Sequence, residues 1–336
     1  MTIVIGRVAK TKAHSFADTL EILCAFDGQS PYSETDAYSL ISTAAQTADE
    51  APQVDDPDVD DNGIVDGEDG AEINARLQGY VDECYRQLAF RIQAFGESYP
   101  FSLEKNLLTL KSPLTVSQKV YLVLLAASRS RSFSGEGFKG FPQRIADLFE
   151  FISRDAMINL LPGGASVVMF GPNAQDRKDN FDSDLRKALP VLSKFMGMRL
   201  TEGWNGELKA QGDVGLDLIG VQPLDEFQGG WNVFIGQCAA QEDEATWQKK
   251  RAEARIDFFS WLFSSSVPSQ AVLFIPVCYR QPDGTWANRR HCDAVIMIDR
   301  LRFIHILDSG VPSAAMAEEF LRQHNLINDG EQLAAA

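Results

Sequence analysis

Two kinds of apolar pattern alternate in the second half of the chain, and this alternation limits the folds that the chain can adopt. Residues 142–161 have helical spacing, residues 166–171 form a short apolar run, and residues 182–196 return to helical spacing. Apolar residues three and four apart predict amphipathic helices, whereas short apolar runs bounded by turn residues predict buried strands. Helices that alternate with such strands predict an α/β core with a mixed sheet.

More strand-like runs follow in the same half. They cover residues 215–221, 232–239, 271–279 and 294–307, the last run broken at Asp299 and Arg300. Residues 246–263 are rich in Trp and charge and predict a helix between the second and third of these runs.

The first part of the chain predicts a separate, mainly helical domain. Residues 71–95 place apolar side chains at three- and four-residue steps, and residues 117–127 form a second, mostly apolar stretch. Residues 128–140 are rich in Ser, Gly and basic residues, a composition typical of a loop or hinge. We therefore expect a helical N-terminal domain over residues 1–140 and an α/β domain over residues 141–336.

The net charge of −16 belongs to one segment of the chain. Between Ala13 and Ala75 there are 16 Asp and Glu residues and no Lys or Arg. Removing these 16 from the 47 acidic residues leaves 31, which equals the number of Lys and Arg residues. Because phosphate binding is mainly electrostatic, the total charge argues against a nucleic-acid ligand, but the neutral remainder of the chain does not.

The acidic loop over residues 49–70 contains a pattern typical of a calcium-binding loop. Such loops place oxygen ligands at positions one, three and five, a glycine at position six and an acid at position twelve. The candidate ligands are Asp58, Asp60, Asn62, Asp66 and Asp69. Asp69 takes the place of the usual Glu, which resembles dockerin-type loops. An acid-rich loop without calcium has the same pattern, so both interpretations stay open.

Polar residues with possible chemistry are concentrated in residues 212–250. Asp217 enters one strand-like run, a Gly-rich turn follows, and Gln237 lies near the end of the next run. If the two runs pair as a hairpin, Asp217 approaches Gln237 across the sheet. Metal-dependent cleavage of a phosphodiester needs a cation held by oxygens, an activated water and a positive group near the developing charge. Asp217 and Gln237 both carry suitable oxygens.

These residues resemble the PD-(D/E)xK restriction-endonuclease-like superfamily. The sequence GDVGLD, which ends at Asp217, is similar to its Asp motif, and GQCAA, which contains Gln237, is similar to its (E/Q)-x-K motif. The resemblance covers roughly residues 141 to 310. It implies a restriction-endonuclease-like fold and a Mg²⁺ or Mn²⁺ ion held by Asp217 and Gln237, with the helical acid Glu150 assisting. The same segment resembles bacterial phage-defence nucleases of this fold.

The chain departs from the superfamily pattern at the strand lysine, where Ala239 stands. Lys249 and Lys250 lie in the following predicted helix, and a lysine displaced to that helix could project back over the site. We favour Lys250 because its spacing from Trp247 places both residues on one helix face.

The resemblance implies metal-dependent hydrolysis of DNA phosphodiesters in bacterial antiphage defence as the activity. The alternative is a catalytically inactive nuclease-fold module that binds nucleic acid or a partner defence protein. Candidate phosphate contacts are Arg129, Arg131, Arg251 and Arg255, although ordinary solvated surface explains any one of them as well. The chain has no Gly-rich phosphate loop, so ATPase or sensing functions would come from a partner defence protein. A homo-oligomer is also compatible with the sequence.

Two further observations concern the compartment. No run approaches the ~18 to 20 apolar residues of a membrane helix, and the N-terminus lacks a secretory signal pattern. The five cysteines are widely spaced and form no CxxC pair, which fits reduced thiols. We therefore expect a cytoplasmic protein without membrane contact.

Overall fold

The computed structural model describes most of the chain. The described residues are 2–3, 11–27, 31–47, 70–171, 174–206, 208–210, 212–225, 229–241, 243–265, 268–307 and 310–327. The candidate calcium ligands Asp58, Asp60, Asn62, Asp66 and Asp69 lie outside them, so that interpretation remains open. Within the described residues, no helix is both long and apolar enough to span a membrane.

The described residues form α-helices and β-strands over both halves of the chain. The helices are α1 (Ala13–Phe26), α2 (Glu34–Thr47), α3 (Gly70–Phe95), α4 (Val116–Ser128), α5 (Phe141–Leu160), α6 (Gln175–Asn180), α7 (Leu185–Phe195), α8 (Glu244–Glu253), α9 (Arg300–Ile306) and α10 (Pro312–Gln323). The strands are β1 (Thr2–Ile3), β2 (Tyr32–Ser33), β3 (Phe101–Glu104), β4 (Leu107–Leu110), β5 (Phe133–Ser134), β6 (Ser166–Met169), β7 (Arg199–Leu200), β8 (Leu218–Gln222), β9 (Asn232–Cys238), β10 (Phe263–Ser264), β11 (Gln270–Phe274) and β12 (Ile296–Ile298).

A mixed five-stranded sheet organises the second half, as the alternating pattern predicts. Its strand order is β12, β11, β9, β8, β6. The pairs β6–β8 and β8–β9 are antiparallel, whereas the pairs β9–β11 and β11–β12 are parallel. In the β8–β9 hairpin Leu218 lies opposite Gly236, and Val221 lies opposite Val233. This register confirms the expected pairing of the two runs that carry Asp217 and Gln237.

Helix α5 packs closely against one face of this sheet because two strand positions there are glycines. A Cβ atom on Gly220 would lie 2.5 Å from Leu161 Cδ1 and 2.9 Å from Met157 Cε, and a Cβ on Gly236 would lie 3.3 Å from Met157 Sδ. Any larger side chain at these positions would push α5 away from the strands. The other face is covered by α7, α8 and residues 256–263, where Ile219, Ile235 and Phe259 are buried.

Three predicted elements differ from the structure. The run over residues 271–279 is a strand only as far as Phe274. Residues 294–307 form only a short strand, β12, followed by α9, because the Asp299 side chain accepts a hydrogen bond from Arg302 N and caps a new helix. The predicted helix over residues 246–263 ends at Glu253. A 3₁₀ turn follows over Ile256–Phe259, and Phe259 and Leu262, three residues apart, fill the core there.

The N-terminal region is mainly helical and shares a hydrophobic core with the second half. Its β2, β3 and β4 form a small antiparallel sheet beside α1 and α3. One apolar cluster contains residues from α1, α4, α5, α9 and α10, so packing continues across residue 140. The segment expected to be a hinge also contributes Phe133 and Phe138 to this cluster. The division at residue 140 remains a prediction.

A fully buried ion cluster joins α1, α3 and α9. Arg300 Nη2 lies 2.8 Å from Asp18 Oδ2, and Arg91 Nη1 lies 2.7 Å from Glu21 Oε1. The Tyr99 and Tyr121 hydroxyls also donate to Glu21, at 2.6 and 2.7 Å. Burial opposes ionisation of Asp18, yet the charges of Arg300 and Arg91 hold its pKa below the ordinary value. Each buried charge therefore depends on its partners.

We predict that Arg300→Met lowers the free energy of unfolding by about 3–5 kcal/mol, because it leaves Asp18 and Glu21 without one of their two counter-charges. Urea unfolding followed by circular dichroism measures this loss. The matched control is Arg322→Met, which removes an arginine paired with Glu318 at the surface and should cost less than about 1 kcal/mol. Equal effects of the two substitutions would contradict the assigned role of the cluster.

Candidate active site

Asp217 is held at the start of β8 by hydrogen bonds to its backbone and side chain and by a sharp turn that precedes it. Its carbonyl oxygen accepts a hydrogen bond from Phe170 N at 2.8 Å, and its Oδ2 accepts one from Cys238 N at 2.8 Å. The preceding turn has positive φ at Val214 (55°) and Gly215 (85°) and is closed by a hydrogen bond from Gly215 N to Asp213 Oδ1. Positive φ is rare for a β-branched residue such as Val214, so the surrounding contacts hold this turn in place.

A buried arginine fixes the start of the same turn. Arg177 donates hydrogen bonds to the carbonyl oxygens of Asp182, Ser183 and Gly212, and it is 1% exposed. Its charge is satisfied by backbone acceptors, and the position of the segment that leads to Asp217 depends on it.

Gln237 is the penultimate residue of β9 and is completely buried. Its amide nitrogen donates to the carbonyl oxygen of Gly215, so the side-chain amide is oriented by the same turn that precedes Asp217. Because the nitrogen is used in this way, the Gln237 Oε1 atom is presented on the side of Asp217. Asp217 and Gln237 therefore present their side-chain oxygens at the same end of the hairpin.

Lys250 reaches both oxygens from α8. Its Nζ donates to Asp217 Oδ2 at 2.9 Å and to Gln237 Oε1 at 3.0 Å. The Asp243 side chain caps α8, and Trp247 anchors the helix, since its ring is buried and its Nε1 donates to Gln241 O at 2.8 Å. Lys250 lies one turn after Trp247, which gives its ammonium group a fixed approach to the strands.

The side chain of Lys249, the other candidate lysine, lies in solvent. Its side chain is 79% exposed, and its Nζ lies 3.9 Å from Glu253 Oε1. Of the two lysines, only Lys250 contacts Asp217 and Gln237 in the structure.

Burial and neighbouring charges act in opposite directions on the pKa values of Asp217 and Lys250. Burial raises the pKa of Asp217, and the Lys250 ammonium and the Cys238 N–H offset only part of this effect. Burial also disfavours the charged form of Lys250, but the attraction of Asp217 and Glu253 raises the pKa of Lys250 above its ordinary value. Since the carboxylate accepts hydrogen bonds from both the ammonium and a backbone N–H, we describe the pair as ionised at neutral pH.

Glu150 lies at the same end of the sheet, on α5. It is about two turns before Met157, the residue that packs on the central glycines, so it projects toward the strand ends. Its Oε2 lies 3.6 Å from the position of a Cβ on Gly171, just after β6. Burial, assisted by the negative charge of Asp217, raises the pKa of Glu150 to about 7. The carboxyl can therefore exchange a proton near neutral pH.

Two acidic residues of the site were not among the sequence candidates. Glu253 Oε2 lies 3.6 Å from Lys250 Nζ, and the charge of Asp213 acts on both Glu150 and Asp217. Both had a sequence signal. Glu253 is one helical turn after Lys250, and Asp213 is the first acid of the sequence GDVGLD.

The donor atoms of the site are of the type that hard divalent cations prefer. Carboxylate and amide oxygens suit Mg²⁺ and Mn²⁺, and Asp217 and Gln237 direct one of each toward the same point. Within the described part of the chain, no group of three or more His, Cys, Asp or Glu side chains is arranged as a metal site. The fit thus rests on the chemistry of the oxygens, with Glu150 as a third donor at the same end of the sheet.

The predicted phosphate-binding arginines occupy different environments. Arg129 is buried, and its Nη2 donates to Ser15 Oγ at 2.9 Å, which corrects the expected surface position of this residue. Arg131 is exposed. Arg251 Nη1 donates to Arg290 O at 2.5 Å, and Arg255 lies at the surface 2.8 Å from Asp257 Oδ2. Arg131, Arg251 and Arg255 thus remain candidate phosphate contacts.

Comparison with known proteins gave no match to a family model, a curated protein or a solved structure.

We predict that Glu150 makes the protein less stable as pH rises from about 4.5 to about 7. The unfolded chain releases this proton near the ordinary pKa of 4.5, whereas the folded protein holds it until about pH 7, so the folded state binds more protons in this window. Glu150→Gln should remove this part of the pH dependence of the melting temperature.

The matched control is Glu83→Gln, which removes an exposed carboxyl from α3. If wild-type and Glu150→Gln proteins show parallel melting profiles across this pH window, Glu150 does not titrate as assigned.

We also predict strong energetic coupling between Lys250 and Asp217. A double-mutant cycle with Lys250→Met and Asp217→Asn, measured by urea unfolding, should give a coupling free energy of about 1.5–3 kcal/mol, as expected for a charged hydrogen bond. The control cycle uses Arg322→Met and Glu319→Gln, an exposed pair at 2.8 Å for which about 0.2–1 kcal/mol is expected. Coupling no larger than that of the control would mean that the ammonium does not hold Asp217.

Proposed function

We propose that this protein is a metal-dependent nuclease that hydrolyses phosphodiesters of DNA. The observation that carries the proposal is the meeting of the Asp217 carboxylate, the Gln237 amide oxygen and the Lys250 ammonium at one end of a β-hairpin. The chain order of an acid on a helix, Asp before a strand, Gln on the next strand and Lys on the following helix supports it. Apart from the lysine, which the superfamily pattern places on the strand, this order is the one implied by the resemblance to the PD-(D/E)xK superfamily.

Each residue of the site has a role in this proposal. Asp217 and Gln237 would hold Mg²⁺ or Mn²⁺, with Glu150 as a third oxygen donor. When bound, the cation would neutralise phosphate charge and acidify a water molecule. Glu150 would assist the metal or its water through its carboxyl oxygens.

Lys250 supplies the positive group that Ala239 cannot supply. An ammonium has three N–H donors, of which two bond to Asp217 and Gln237. The third would bond to an oxygen of the scissile phosphate, where it opposes the negative charge that develops during cleavage. Glu253 and Asp217 keep Lys250 protonated for this task.

A specific observation also favours the alternative of an inactive nuclease-fold module. The Lys250 ammonium stands between the two oxygens that would bind the metal, and the buried Ala239 leaves the strand itself without a lysine. In that case the ion pair is structural, and the protein binds nucleic acid or a partner defence protein without cleavage. A role in antiphage defence enters both proposals through the resemblance alone.

We predict that purified protein cleaves plasmid or linear DNA in the presence of Mg²⁺ or Mn²⁺ and not in the presence of chelator. Asp217→Asn and Lys250→Met should each reduce the cleavage rate by about 100- to 1,000-fold, since each removes a charge that acts on the transition state. Lys249→Met is the matched control and should cleave at close to the wild-type rate, because Lys249 lies in solvent.

The outcomes separate the two candidates. DNA binding without cleavage at any metal concentration would support the inactive module. Equal cleavage by wild type and Asp217→Asn would show that the observed nuclease activity does not arise from this site.

A further inference from the structure

An exposed aromatic ring lies directly beside the candidate active site. Phe258 is 44% exposed and belongs to the 3₁₀ turn Ile256–Phe259. Its neighbour Phe259, the last residue of the turn, is completely buried. The two rings meet edge to face with centroids 5.1 Å apart. Phe259 thus anchors the turn in the core and holds Phe258 at the surface in a fixed position.

The position of Phe258 relative to the site follows from Gly215. A Cβ atom on Gly215 would lie 3.9 Å from Phe258 Cε1 and 3.8 Å from Glu253 Cδ. The Gly215 carbonyl accepts the hydrogen bond from the Gln237 amide, and Glu253 is an ionic neighbour of Lys250. The ring therefore lies beside the turn that orients Gln237, and Glu253 lies beside the same turn.

We propose that Phe258 is a stacking residue for an unpaired nucleobase adjacent to the scissile phosphate, so that the preferred substrate is single-stranded or locally unpaired DNA. This inference rests on the proposed function and names its substrate class. A strand whose phosphate reaches Lys250 passes close to the Gly215 turn, and on that path a neighbouring base can stack on this ring. Stacking requires an open π face of the base, which a base within an intact duplex does not offer to a side chain.

One positive side chain near Phe258 suits the same ligand. Arg255, at the start of the turn, has a side chain that is 55% exposed, and its only described ion pair is with Asp257, which is itself 74% exposed. Exposed pairs of this kind are weak, so the guanidinium can exchange Asp257 for a backbone phosphate. Single-strand binding sites combine an aromatic stacking surface with positive charge along the backbone path, and Phe258 with Arg255 provides both.

The test measures binding by fluorescence anisotropy in chelator, so that cleavage plays no part. Three labelled probes are compared: a single strand, the same strand in a perfect duplex, and a strand of equal length without bases. We expect Phe258→Ala to weaken binding of the single strand about tenfold or more and to leave binding of the base-free strand unchanged. Phe258→Trp should restore the wild-type affinity, whereas Phe258→Leu, which keeps an apolar side chain without a π face, should not.

The matched control is Leu224→Ala. Leu224 is 64% exposed and lies beyond the opposite end of β8 from Asp217, so its removal should leave the affinity for every probe unchanged. Melting temperatures of all variants check the fold, and Phe258→Leu gives the same comparison if Phe258→Ala is unstable.

The results distinguish this inference from the proposed function. Phe258-dependent binding of single strands by a protein that never cleaves DNA would support the stacking role and contradict the nuclease. Cleavage of duplex DNA with no effect of Phe258→Ala would contradict the stacking role and leave the nuclease intact. Absence of single-strand binding, or an equal loss of affinity for the base-free strand, would also overturn the inference.

Discussion

The hydrogen bonds from Lys250 to Asp217 and Gln237 join side chains from three different elements of the fold. Asp217 precedes β8, Gln237 ends β9 and Lys250 projects from α8. Two buried oxygens side by side need a positive charge or hydrogen-bond donors between them, and burial makes that need stronger. The ammonium satisfies it in this structure, and in the proposed reaction a divalent cation would share the two oxygens with it.

The rest of the fold keeps this group in place. Gly220 and Gly236 let α5 approach the sheet closely enough for Glu150 to reach the strand ends. On the other face, Trp247 fixes α8. The buried ion cluster then ties α9, which follows the edge strand β12, to the N-terminal helices. Because that cluster crosses residue 140, the N-terminal helices support the sheet that carries the site.

The sequence predicted the strands of the sheet and the approach of Asp217 to Gln237 better than it predicted where individual helices and strands end. Alternating apolar patterns located the strands, and the hairpin hypothesis brought Asp217 to Gln237. The break of the last run into β12 and α9 depended on the cap at Asp299, which the apolar pattern conceals. Arg129 was predicted at the surface from its charge, but its burial depends on packing against Ser15, which is distant in sequence. The apolar pattern does not distinguish Phe258 from Phe259, because the exposure of Phe258 depends on the 3₁₀ turn that Phe259 anchors.

The central claim is that the Asp217 and Gln237 oxygens form a divalent-cation site, and calorimetric titration with Mn²⁺ tests it most directly. Wild-type and Asp217→Asn proteins have the same acidic segment between Ala13 and Ala75. Weak binding of Mn²⁺ to that segment is therefore common to both titrations. If the claim is correct, the wild type gives a binding heat that Asp217→Asn lacks and Lys249→Met retains. Identical titrations of wild type and Asp217→Asn would contradict it.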